Sequence, residues 1–137
     1  MTKILGISAF YHDSAAALLD NGNIVAAAQE ERFTRIKHDS SYPWHSINYV
    51  LSESNLKLSE IDAIVFYEKP FLKFERLIET YLTFATIGFK SFSISMAVWL
   101  REKLFQKKFL FDKLKEQDSN FSDISKIKFS EHHYSHA

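Results

Sequence analysis

Apolar and polar positions alternate in short blocks over the first thirty residues, and this pattern predicts three strands. The apolar run 3–10 contains β-branched residues and is typical of a buried strand. A second apolar run, 14–20, leads into the Asn-Gly-Asn of 21–23, and Asn-Gly is a strong hairpin signal. The run 24–29 is therefore expected to pair antiparallel with the second strand. Because alanine alone favours strands poorly, this third prediction depends on the turn.

The polar stretch 30–42 has no clear period and predicts a loop. A helix is expected next, because Pro43 suits a first helical turn and apolar residues then recur at helical spacing as far as about Asn55. The apolar run 63–67 predicts a fourth strand.

Aromatic and aliphatic residues recur at helical spacing between 71 and 100, and Gly88 divides them into two predicted helices. The stripe positions are Phe71, Phe74, Ile78, Tyr81 and Ala85, then Phe89, Phe92, Met96, Trp99 and Leu100. A basic amphipathic region follows, then a polar loop at 118–123 and a short fifth strand at 127–129. Three strands in a meander followed by helix, strand, helical segment and strand is the order of a ribonuclease-H-like fold, an α/β class with helices packed on a mixed sheet.

The composition narrows the class of protein. The 137 residues include 17 basic and 17 acidic side chains, so bulk charge gives no reason to expect a nucleic-acid partner. Cysteine is absent, which excludes disulfides and thiolate metal sites. The weakly charged stretch 80–100 has a membrane-spanning length, but Lys90 at its middle and several hydroxyl residues favour packed helices. With no signal-peptide pattern at the start, we expect a cytoplasmic protein with no membrane partner.

The end of the first strand carries polar side chains that can do chemistry, namely Ser8, His12, Asp13 and Ser14. Backbone amides and small hydroxyls in such a turn can cradle a phosphate. His12 can act as a general base, and Asp13 can orient a neighbour or cap the turn. The alternative is a hairpin with polar turn residues, because the stretch is not a glycine-rich phosphate loop.

The charged stretch after the third strand is a second candidate. Arg32, Arg35 and Lys37 can bind a phosphate or carboxylate, and arginine offers two parallel N–H donors. Glu30 and Glu31 can pair with these cations. The alternative is a solvated charged loop.

Three of the six histidines fall within five positions near the end of the chain. On a helix, His132 and His136 would share one face and could ligate zinc, iron or nickel. His133 with His136 is a rival pair. The glutamate that zinc peptidases place beside the first histidine is missing, and no third ligand can be assigned. Surface or capping histidines are the alternative.

Three motifs together resemble the start of the carbamoyltransferases of nodulation and antibiotic biosynthesis. They are GISAFYHDSAAALL at 6–19, AAQEERFTRIKHD at 27–39 and EHHYSHA at 131–137. The resemblance is strong at 4–44 and 131–137 and weak through 70–125. It implies the N-terminal fragment, residues 1–137, of an actin-like domain with a duplicated ribonuclease-H-like core, whose second half and following YrdC-like domain lie beyond the chain.

The resemblance also implies a chemistry. A YrdC-like domain makes carbamoyl-adenylate from carbamoyl phosphate and ATP, and the actin-like domain moves the carbamoyl group to a small-molecule hydroxyl acceptor. His132 and His136 match a metal-binding His-x-x-x-His motif, commonly of iron, completed by a later Asp. His12 is then the expected base, and the loop from Arg32 to His38 is expected to shape the site or contact anionic groups.

On this reading the chain alone is inactive and associates with itself through the surface that its missing half would cover. Two alternatives stay open. One is a related tRNA-modifying metalloprotein of the same superfamily, and the other is a non-catalytic module that binds metal or a partner.

Overall fold

The computed structural model of the chain describes residues 2–67, 79, 83, 93–94, 96–97 and 105–130. The terminal histidine cluster lies outside these residues, as do nearly all positions of the predicted helical stripes between 71 and 100.

A five-stranded mixed sheet carries the described part of the chain, in the order β3-β2-β1-β4-β5. The strands are β1 Lys3–Ser8, β2 Ala15–Asp20, β3 Asn23–Gln29, β4 Ala63–Phe66 and β5 Ile127–Phe129. The first three form an antiparallel meander, whereas β4 is parallel to β1 and β5 is parallel to β4. The carboxyl ends of β1, β4 and β5 therefore lie along one edge of the sheet. The predictions of an α/β class and of the meander are confirmed, and the closer ribonuclease-H-like assignment stays a prediction.

The β2–β3 hairpin has the two-residue turn that its sequence predicts. Asn21 and Gly22 have φ values of 50° and 84°, and two consecutive positive values are what a tight turn between twisted strands requires. Further along, Leu18 pairs with Ala26 but Leu19 pairs with Ile24, so the ladder contains a bulge. The bulge bends the edge strand.

Three α-helices have described bounds, α1 Glu31–Thr34, α2 Trp44–Glu53 and α3 Gln106–Gln117, and two short 3-10 helices span Leu58–Glu60 and Ile124–Lys126. The prediction of an irregular loop over 30–42 is wrong where it includes α1. A single helical turn forms there because the amides of Thr34 and Arg35 donate to the carbonyl oxygens of Glu30 and Glu31. It stops at Arg35, whose φ of 59° is left-handed and cannot continue the helix.

The core lies on one face of the sheet, because alternate strand residues point to the same side. It is completed by α2, α3 and the connections that follow them. The largest fully buried apolar side chains are those of Leu5, Leu18, Ile47, Leu58, Ile61, Ile64, Phe66, Leu110, Leu114, Phe121 and Ile127. The predicted loop at 118–123 is confirmed, but it is not polar throughout, because Phe121 is buried and its ring packs against that of Phe111. Across the described ranges, no helix is long and apolar enough to cross a membrane.

Candidate functional site

Two loops lie side by side beyond the carboxyl end of β1. One connects β1 to β2, and the other leads from α1 to α2. The amide of Phe10 donates to the carbonyl of Ser40 over 2.9 Å, and the amide of Ser14 donates to the carbonyl of Asp39 over 2.7 Å. These two backbone hydrogen bonds flank His12 and Asp13 and hold the loops together.

The Asp13 carboxylate lies between two imidazoles. Its Oδ2 is 2.8 Å from Nδ1 of His12, and its Oδ1 is 2.9 Å from Nδ1 of His38. The side chains of His12 and His38 are 61% and 62% exposed, so a molecule in solution can reach them. We call these three residues the Asp13 cluster. Sequence alone suggests that Asp13 orients a neighbour, and the structure brings two neighbours onto it.

The charge of Asp13 fixes the tautomer of both rings. Hydrogen bonds from His38 and then His12 lower the pKa of the Asp13 carboxyl below 3.8, so it is ionised at neutral pH. An ionised carboxylate only accepts hydrogen bonds, and each Nδ1 must therefore donate. In the neutral imidazole the lone pair then resides on Nε2. The hydrogen bond to Asp13 raises the pKa of His38 above 6.5.

Glu31 extends the cluster on the side of α1. Its Oε2 accepts the backbone amide of His38 over 3.1 Å. Ligand atoms of Asp13, Glu31 and His38 all lie within 4.8 Å of one another, close enough to share a divalent cation. Because Nδ1 of His38 donates its hydrogen to Asp13, only Nε2 of that ring has a lone pair for such a role.

The predicted anion-binding cations lie on α1 and in the loop after it. Arg32, Arg35 and Lys37 are exposed, and within the described residues their side chains form no hydrogen bond or ion pair. The suggested pairing of Glu30 and Glu31 with them is wrong. Glu31 binds the main chain of His38, and Glu30 points into the protein.

Glu30 is 1% exposed and reaches the first turn of α2. Its carboxylate accepts the amides of His45 and Ser46 over 3.1 and 2.8 Å, together with Nδ1 of His45 and Oγ of Ser46 over 2.6 and 2.7 Å. Burial raises the pKa of Glu30, but the hydrogen bonds from Ser46 and His45 outweigh it, and the net shift is downward. Sequence reasoning missed this contact, because nothing in the spacing links Glu30 to a helix that begins fourteen residues later.

Ser8 faces a different space. It lines a groove of about 480 Å³ on the sheet face opposite Leu5 and Ile7. Small residues of β1, β2 and β3 leave this groove open, among them Gly6 and Ala17. Ser8 makes no hydrogen bond to the Asp13 cluster. The predicted metal ligands His132 and His136 lie outside the described residues.

The chain resembles known proteins along its whole length. The profile of the carbamoyltransferase N-terminus family matches residues 3–137. The uncharacterized protein sll1178 of Synechocystis sp. is 58% identical over 138 residues, covering all of this chain and 22% of that protein. The nodulation protein NolNO of Sinorhizobium fredii is 34% identical over 128 residues, covering 93% of this chain and 17% of that protein.

Among solved structures, YeaZ from Pseudomonas aeruginosa is 20% identical, with a TM-score of 0.38 over 51% of this chain and 31% of that one. The chain thus spans about a fifth of the length of sll1178 and NolNO. By the match of the family profile and the identity to NolNO, the chain belongs to the carbamoyltransferase family of transferases, as part of its N-terminal region.

Proposed function

We propose that the protein containing this chain is an O-carbamoyltransferase. It moves a carbamoyl group from carbamoyl-adenylate, made from carbamoyl phosphate and ATP, to the hydroxyl of a small-molecule acceptor. The observation that carries the proposal is the Asp13 cluster, in which a carboxylate holds an exposed imidazole by its Nδ1. Family membership supports carbamoyl transfer as the reaction.

His12 is the general base in this proposal. Its Nε2 takes the proton of the acceptor hydroxyl while the hydroxyl oxygen bonds to the carbamoyl carbon. The bond between that carbon and the phosphate oxygen breaks, and AMP leaves with the electron pair. Asp13 holds the ring in the correct tautomer and stabilises the imidazolium that forms.

The anionic leaving group needs positive charge nearby. His38 can supply some when its ring is protonated, and the hydrogen bond to Asp13 raises the pKa of this ring. Arg32 on α1 and Arg35 and Lys37 in the loop after it have no ion-pair partner among the described residues, and we assign them to the phosphate of the adenylate. We assign Ser8 to substrate binding, because it lines the groove and its hydroxyl can donate a hydrogen bond to a substrate bound there.

A divalent metal, iron by preference, is proposed at His132 and His136. Two imidazoles form a donor set that suits iron or zinc, and His132 follows β5, whose carboxyl end shares an edge with that of β1. When bound, the metal would supply Lewis-acid charge. A later Asp is expected as the third ligand. We further propose that this chain is inactive without the remaining length, that it associates with itself, and that the protein is cytoplasmic.

The test uses the full-length protein with ATP, radiolabelled carbamoyl phosphate and a panel of sugar, aminoglycoside and oligosaccharide acceptors. We expect a labelled carbamate ester on one class of acceptor. His12→Asn should lower kcat by about 10²- to 10⁴-fold, the usual contribution of a general base.

The matched control is His45→Asn. His45 also holds a carboxylate through Nδ1, but that carboxylate is Glu30, outside the Asp13 cluster. Its kcat should stay near the wild-type value. Full activity in His12→Asn would refute the base assignment. Failure of the wild-type protein to consume carbamoyl phosphate with any acceptor would refute the function.

A further inference from the structure

A buried carboxylate lies directly after His38 in the chain. Asp39 is only 7% exposed, although it is an acidic residue on a loop. Its Oδ2 accepts the hydroxyl of Thr34 over 2.7 Å. Its Oδ1 accepts the amide and the hydroxyl of Ser41 over 2.9 and 2.6 Å. Both oxygens are thus used to shape the loop that carries His38.

The main chain of Asp39 joins this loop to the one that carries His12 and Asp13. Its carbonyl accepts the amide of Ser14 over 2.7 Å, and its amide donates to the carbonyl of Ile36 over 3.3 Å. The side chain of Asp39 therefore fixes one loop, while its backbone fixes the other loop against it.

The hydrogen bonds of Asp39 hold the two loops in conformations that they would not favour by themselves. Asp13 and His38 both have left-handed backbone conformations, with φ of 50° and 57°. Residues other than glycine disfavour this region because their Cβ atom is crowded there. Left free, the two loops would relax toward more common conformations. The 2.9 Å contact between Nδ1 of His38 and Oδ1 of Asp13 would then be lost for part of the time.

We propose that Asp39 is the positioning residue of the Asp13 cluster, holding His38 against Asp13 without touching substrate. The importance of Asp39 for catalysis rests on the proposed function. The experiment below tests only whether Asp39 holds the two loops in place, and it needs no enzyme activity. The charged groups that face His38 are Asp13 and Glu31, and Asp13 also holds His12. Asp39 acts on the ring of His38 through the loop rather than by contact.

The experiment is a pH titration of histidine rings by NMR, in protein labelled at the imidazole Cε1, with His38→Asn used to assign the signal. In the wild type, the pKa of His38 lies above 6.5 because of Asp13. In Asp39→Asn, we expect it to fall toward 6.5. Exchange of the Ser14 amide should become faster, while that of a core amide such as Leu18 stays slow.

Two further variants isolate the cause. Thr34→Val keeps the charge of Asp39 but removes one donor, so a smaller shift of the same sign supports positioning over loss of charge. It also answers the question if Asp39→Asn does not fold. Asp123→Asn is the matched control, because Asp123 likewise accepts a nearby amide, from Ser125, but lies before β5 at the opposite edge of the sheet.

The proposal is overturned if folded Asp39→Asn and Thr34→Val both keep the wild-type pKa of His38 and the slow exchange of Ser14. In the full-length enzyme, Asp39→Asn should lower kcat more than it raises KM. If no variant and no wild type transfers carbamoyl groups, the proposed function fails, but the titration still decides the role of Asp39.

Discussion

Replacing Glu30 with alanine should lower the free energy of unfolding by about 3 to 5 kcal/mol. The reason lies at the start of α2. The residue before the helix is Pro43, which provides no side-chain cap, so the amides of His45 and Ser46 need an acceptor from elsewhere. Glu30 supplies that acceptor from a position distant in sequence.

The magnitude follows from the contacts that are lost. Removing a helix cap costs about 1 kcal/mol, and a hydrogen bond to a charged group contributes about 1.5 to 3 kcal/mol. Ser46 is fully buried, so its amide and hydroxyl would be left without an acceptor and without water. Contacts that share one carboxylate do not add fully, which keeps the expected loss below their sum. Glu30→Gln keeps one acceptor oxygen and should cost about 1 to 3 kcal/mol.

The same contact predicts a dependence on pH. The pKa of Glu30 is lowered in the folded protein below its ordinary 4.5. A lowered pKa means that the unfolded chain binds the proton more readily, so this stabilisation is complete well above pH 4.5. It is lost as the pH falls through the folded value. The gap between the wild type and Glu30→Gln should therefore be constant near neutral pH and shrink below pH 4.5.

The assay is urea denaturation followed by far-ultraviolet circular dichroism and tryptophan fluorescence, at pH 7 and at several values below 5. Glu53→Gln is the matched control, because Glu53 is exposed at the other end of the same helix. It should change stability by less than about 0.5 kcal/mol. Two results would refute the reasoning. One is a Glu30→Ala protein whose free energy of unfolding at pH 7 lies within about 0.5 kcal/mol of the wild-type value. The other is a difference between the wild type and Glu30→Gln that does not shrink below pH 4.5.

Two further changes probe the core and the hairpin by the same denaturation assay. Leu114→Ala on α3 should cost about 2 to 5 kcal/mol because the side chain is fully buried, whereas Phe105→Ala at an exposed position should cost under about 1 kcal/mol; equal losses would contradict the packing. Gly22→Ala should cost about 1 kcal/mol, because no atom lies within 4 Å of the added methyl group and only the φ of 84° penalises it. No loss at Gly22 would contradict the turn geometry.

The sheet could be predicted because its signals are local. The meander depends on apolar runs and on Asn21-Gly22, whose positive φ values suit a tight hairpin. The helical turn α1 was not predicted, since a single turn is too short to show a period. The cap by Glu30 could not be predicted either, because it links residues that come together only after the sheet and α2 have packed.

In the candidate site, too, the contacts between sequence neighbours could be predicted and those between distant residues could not. His12 and Asp13 are neighbours in the chain, and their types already suggested a base and an orienting carboxylate. The contact with His38 spans 25 residues and needs two loops held at a fixed distance. That distance depends on Asp39, whose partners Thr34 and Ser41 look like ordinary loop residues in the sequence. The residue types that could carry out the reaction can thus be predicted from the sequence. Their geometry is set by buried polar residues, and the sequence does not distinguish these from ordinary loop residues. The signal that the sequence does hold is an acidic residue with hydroxyl side chains five positions before it and two positions after it, Thr34 and Ser41.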